Sequence, residues 1–156
     1  MRVSVGSDHA GLELKELLAE HLESLGHEVV DLGTHSPEPV DYPDFGAAVG
    51  NSVSSGDTEF GVCVCGTGNG MSIAANKVRG VRAAVVHDVS SARLARAHNN
   101  ANVICFGARL VGTVVATDAL ETFLKSQFEG GRHLRRTEKI DALEQESPRD
   151  PSGARQ

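Results

Sequence analysis

Tryptophan is absent, and tyrosine occurs once, at Tyr42. With aromatics this scarce, valine, alanine and glycine dominate, as in a compact sheet-and-helix protein with tight loops. No apolar run approaches the length of a membrane span. The opening MRVSVGSDHAG starts a strand at once and lacks the apolar core of a secretory signal. Excess positive charge is missing too. The formal net charge is −6, which argues against nucleic acid or an anionic membrane as the main partner. Three cysteines, an odd number at uneven spacing, do not make a disulfide framework. The expected setting is the cytoplasm. No internal repeat is present.

The 156 residues fit one domain and can bury a sizeable core. Strand and helix patterns alternate along the chain. Short apolar runs at 2–5, 28–32, 60–65, 82–86 and 102–106 read as strands. Segments 11–25, 45–53, 69–78, 89–98 and 113–125 read as helices; the first repeats leucine at close to helical period from Leu12 to Leu25. Five strand–helix units in series predict an α/β fold: a three-layer, Rossmann-like sandwich around a five-stranded parallel sheet. Residues 132–145 predict one extra C-terminal helix, so poor in apolar residues that it needs a partner surface. The domain is expected over 1–145, followed by a disordered tail over 146–156.

Two of the cysteines stand in VCVCGTGNGMSI, directly before a loop with three glycines. In open parallel sheets, ligands bind beyond the carboxyl ends of the strands. Glycines let the backbone approach a ligand closely, and free amides at a helix start favour negative charge. The loop Gly66, Thr67, Gly68, Asn69, Gly70 therefore suits a phosphate or an oxyanion formed during reaction. It is not a P-loop, because Met71 stands where Lys is required. It is not a dinucleotide fingerprint, because Met71 also replaces the third glycine. A structural metal site is not expected from three cysteines without a nearby histidine pair. Cys63 and Cys105 lie within strands and read as small buried hydrophobes. Cys65 ends its strand beside a helix start, which favours a thiolate, so a functional and a packing role are both open.

Other polar residues fall at the same edge. Asp8 and His9 follow the first strand; Asp8 either holds a ligand or caps the next helix. Arg109 follows the fifth strand. His98 and Asn99 end a helix, where His98 is a candidate general acid or base and Asn100 a stop signal. Arg132 and Arg136 are four apart, so a helix would put both guanidinium groups on one face, ready for a phosphate. Arg135 would point elsewhere. The Asp41-Tyr42-Pro43 turn either lines the pocket or shapes the loop.

Taken together, GSDHAG at 6–11, DYPDF at 41–45, CGTGNGMSIAANK at 65–77, HNNANVICFGAR at 98–109 and EGGRHLRR at 129–136 resemble the ribose-5-phosphate isomerase B family. The match spans residues 1 to about 145. The resemblance implies an aldose–ketose isomerase that interconverts ribose 5-phosphate and ribulose 5-phosphate without metal or organic cofactor. It implies Cys65 as the base between C1 and C2, assisted by Thr67, with the amides of Gly66 to Gly70, Gly68 and Asn69 included, holding the enediolate. It implies His98 for ring opening and Asp8 for the sugar oxygens. His9, Arg109, Arg132 and Arg136 would bind the phosphate or its neighbours, and Asn99 would face the substrate. Met71 excludes the branch of the family that places a glutamate base after the loop. Related isomerases act on allose 6-phosphate, galactose 6-phosphate or tetrulose 4-phosphates, and a non-catalytic sugar-phosphate subunit is the alternative outside enzymes. The expected assembly is a homodimer with shared active sites, or a dimer of such dimers.

Overall fold

The computed structural model describes residues 1–146. The tail expected over 146–156 lies outside them except for Glu146, which ends the last helix. The strands are β1 (Arg2–Ser7), β2 (Glu28–Asp31), β3 (Phe60–Cys65), β4 (Ala83–Val85) and β5 (Val103–Gly107). The helices are α1 (Leu12–Ser24), α2 (Tyr42–Ser54), α3 (Asn69–Ala75), α4 (Val89–Asn99), α5 (Thr113–Lys125) and α6 (Leu134–Glu146). All strand pairs are parallel, in the order β2-β1-β3-β5-β4.

The three-layer α/β fold follows from alternation along the strands. Val3, Val5, Val62, Val64, Ile104 and Phe106 face one side and pack with Leu14, Leu18, Ala92, Ala116 and Leu120, from α1, α4 and α5. Cys63, Cys65, Val103 and Cys105 face the other side and pack with Val49, Met71 and Ala75, from α2 and α3. Both faces of β3 are thus buried, which accounts for its unbroken apolar run. From β1 the chain steps outward to β2, then returns to lay β3 on the other side of β1. That reversal is a topological switch point, and it opens a crevice at the carboxyl ends of β1 and β3.

Several boundaries differ from the expected ones. Helix α2 begins at Tyr42, with Pro43 in its first turn, where the missing amide costs no hydrogen bond. A short 3-10 turn (His9–Gly11) precedes α1. Helix α6 begins only at Leu134, because Gly130 and Gly131 both take positive φ and turn the chain just before it. Arg132 therefore stands in that turn and not on a helical face with Arg136. The need of α6 for a partner surface is met in part by polar clamps within the chain. Arg82 Nη1 pairs with Asp141 at 3.0 Å, and the Gly80 amide donates to the Glu144 carboxylate at 3.0 Å. Its apolar residues Ile140 and Leu143 stay largely exposed. No helix among the described residues is long and apolar enough to cross a membrane.

Candidate active site

The crevice at the switch point holds a pocket of about 340 Å³, lined by Asp8, His9, Ala10, Tyr42, Cys65, Gly66, Thr67, Gly70 and Arg109. Each arrives there for a local reason. Asp8 follows β1, and its Oδ1 accepts the amides of Ala10 and Gly11, both at 3.0 Å. The capping role is therefore real, and it fixes the carboxylate at the pocket wall. His9 Nδ1 accepts the Val40 amide at 3.2 Å, which leaves Nε2 to carry the proton in a neutral ring. The amides of Ala108 and Arg109 donate to the carbonyls of Cys65 and Gly66, at 2.8 and 3.1 Å, so the loops after β3 and β5 are tied together.

Cys65 is buried, and its sulfur accepts the Gly68 amide at 3.1 Å. Gly68 thus serves the sulfur, while the Asn69 amide donates to Thr67 Oγ1 at 3.4 Å. Close approaches set the loop's glycines. A Cβ on Gly70 would stand 2.6 Å from the Tyr42 ring, so only glycine lets that ring close against the loop. A Cβ on Gly107 would stand 2.6 Å from the Thr67 carbonyl carbon, so β5 must end in glycine for Thr67 to lie across it. Cys63 and Cys105 are fully buried and opposite one another in register. Their mutual hydrogen bond, together with burial, pushes the Cys63 thiol up.

The remaining candidates gather elsewhere. His98 stacks on His133, with ring centroids 4.2 Å apart and planes 7° from parallel. Arg132 Nε donates to His133 Nε2 at 3.3 Å. Burial, then the neighbouring His98 and Arg132, hold His133 below its usual range. Asn99 lines a separate groove of about 470 Å³ between β4 and α6. These residues belong to the amino edge of the sheet. Asn102, just beyond α4, accepts the Gly61 amide at 3.0 Å at the start of β3. Cys65 ends the same strand, about 13 Å away at ~3.3 Å per residue. Sequence reasoning left Tyr42 undecided and gave Glu129 and His133 no role. The signal was present: both lie in EGGRHLRR, flanking the glycine turn that brings them to His98.

A small polar crevice at a switch point, with a thiol and fixed amides, defines an α/β enzyme acting on a small, oxygen-rich substrate. The chain belongs to the ribose/galactose isomerase family, whose model matches residues 3–140. It is 45% identical over 144 residues to ribose-5-phosphate isomerase B of Escherichia coli strain K12, covering 92% of this chain and 97% of that one. The solved ribose-5-phosphate isomerase B of Clostridium thermocellum superposes with a TM-score of 0.93 at 49% identity, covering 94% of this chain and 99% of that one. The Mycoplasma genitalium enzyme of the same name, solved with bound ribulose-5-phosphate, gives 0.89 at 44% identity, covering 94% and 97%.

Proposed function

We infer that this chain is a ribose-5-phosphate isomerase that interconverts D-ribose 5-phosphate and D-ribulose 5-phosphate. The observation that carries the reading is the Cys65 pocket on a fold matched over nearly its whole length by an isomerase holding ribulose-5-phosphate. In the forward direction, the Cys65 thiolate takes the proton from C2 of the open-chain aldose, beside the C1 carbonyl. The electron pair moves onto the carbonyl oxygen and leaves an enediolate. As the C2 hydroxyl proton passes to the C1 oxygen, Cys65 returns its proton to C1, the C2 oxygen becomes the carbonyl, and the ketose forms. Developing oxyanion charge needs donors already in place, which the remaining amides of the 66–70 loop and the Thr67 hydroxyl supply. A base positioned at the reacting carbons supplies the proton transfer. Asp8 holds sugar hydroxyls. His9, through Nε2–H, and Arg109 hold the phosphate end.

His98 and Asn99 complete the site from a second chain. Within one chain, α4 carries them to the edge opposite Cys65, so one chain holds two half-sites. A two-fold dimer joins each half-site to its complement. Arg132 and Arg136, beside His98, then add positive charge to the phosphate end of the partner's pocket. The chemistry draws on no metal and no organic cofactor. A coupled assay on ribose 5-phosphate tests the reading, run in parallel on allose 6-phosphate, galactose 6-phosphate and erythrulose 4-phosphate. Turnover is expected on ribose 5-phosphate, at a higher kcat/KM than on the others. Higher turnover of a six-carbon substrate would move the assignment within the family. No turnover of any would leave a binding subunit.

A further inference from the structure

Outside the Cys65 pocket, three metal-ligating atoms converge. His98, Glu129 and His133 each offer one, all within 4.8 Å of one another. Glu129 Oε2 lies 3.7 Å from His98 Nε2 and 3.8 Å from His133 Nε2. Around a tetrahedral Zn²⁺ with bonds of about 2.0–2.2 Å, ligand atoms stand roughly 3.4 Å apart. Both edges of the triangle that meet at Glu129 are within a few tenths of an ångström of that spacing. The two stacked rings must splay to aim both lone pairs at one ion. The backbone that carries the three is firmly held. The Glu129 amide donates to the Ala97 carbonyl at the end of α4, at 3.0 Å, and the His133 amide closes the glycine turn onto Gly130, at 2.9 Å.

We propose that this chain binds Zn²⁺, or a transition ion of like preference, through His98, Glu129 and His133, with water in the fourth position, and that the ion inhibits the isomerase. Two imidazoles and one carboxylate form the donor set of open zinc sites. Mg²⁺ and Ca²⁺ prefer all-oxygen shells and should not compete. Arg132 does compete, because its Nε donates to the His133 lone pair an ion would use. Its side chain is exposed and free to swing away. Inhibition rests on the reading that His98 opens the sugar ring; the binding site does not.

The test separates the two. Chelator-treated, dialysed protein is titrated with ZnCl₂ by calorimetry, and with Co²⁺ while visible absorption is recorded. One ion per chain is expected, with the strong visible bands of four-coordinate Co²⁺. Glu129→Gln and His133→Asn should each weaken binding at least about tenfold. Arg132→Ala should tighten it. In the isomerase assay, Zn²⁺ should inhibit wild type and chelator should restore it, whereas equal Mg²⁺ has no effect. Glu129→Gln should lose the sensitivity, read as the ratio of its own rates with and without Zn²⁺. Zn²⁺ affinity unchanged in Glu129→Gln and His133→Asn overturns the site. So does binding that is lost in Cys65→Ala, which would put the ion on the thiol. Binding that behaves as expected, without inhibition, keeps the site and overturns both the inhibition and the role of His98.

Discussion

Cys63 and Cys65 leave β3 on the same face, two residues apart, into different surroundings. Cys63 meets Cys105 across the strand pair in a dry core, and its thiol is held protonated. Cys65 ends the strand, lines the pocket and takes an amide from Gly68. Cys65→Ala should lower kcat by about 10²–10⁴, the range for a lost proton-transfer group, with KM little changed. Cys63→Ala should keep activity and cost about 1 kcal/mol as a small core truncation. Steady-state kinetics beside thermal melts decide it, and equal activity in both variants would remove Cys65 from the mechanism. A second residue acts from a distance. Lys15, on the inner face of α1, is fully buried, and its Nζ holds Asp31 at 2.5 and 2.7 Å. Asp31 also accepts the Gly33 amide at 2.9 Å, at the start of the loop that delivers Val40 to His9. Lys15→Met would strip the partner from a partly exposed carboxylate. A loss of about 2 kcal/mol is expected in denaturant melts. KM should also rise as His9 loses its fixed orientation, whereas a KM equal to wild type would mean the loop holds His9 without this pair.

At the scale of elements, the glycine turn before α6 decides where the basic residues point. Helical spacing alone would put Arg132 and Arg136 on one face, but Gly130 and Gly131 keep Arg132 off the helix and beside His133. Arg132→Ala and Arg136→Ala should still raise KM more than Arg135→Ala does, with kcat less affected. A larger defect at Arg135 would mean that the first turn of α6 presents a different face to the phosphate. Features that local chemistry dictates were legible in the sequence. Asn100 stops α4 with φ 48°, as an asparagine at a helix end can. The apolar run of β3 marked a strand buried on both sides. Pro43 hid the first turn of α2, because proline is read as a breaker although it suits a helix start. The His98–His133 stack was not legible, because it joins α4 to a turn some thirty residues on through α5, a contact that no local pattern encodes. The polar clamps on α6 were hidden for the same reason.

For the whole molecule, the decisive fact is that the candidate site residues fall into two groups at opposite edges of one sheet. Cys65 and Asp8 stand where β3 and β1 end, while His98 follows α4 back to where β3 begins. A packed parallel sheet cannot bend to bring the groups together, since Val62, Val64, Ile104 and Phe106 between them are fully buried. If both groups serve one reaction, two chains must meet. This makes a sharp prediction about mixtures. Cys65→Ala and His98→Ala should each be nearly inactive alone. In a dimer of one with the other, one site carries both lesions and the other carries neither. Random reassortment of equal amounts makes half the dimers mixed, each with one intact site of two, so about a quarter of wild-type sites should return. The two variants are unfolded together, refolded, and assayed against separately refolded controls, with subunit exchange verified by tagging one of them. Recovery near a quarter supports the shared site. With exchange verified, activity no higher than the controls would mean that each chain builds its site alone, and His98 would lose its place in the reaction.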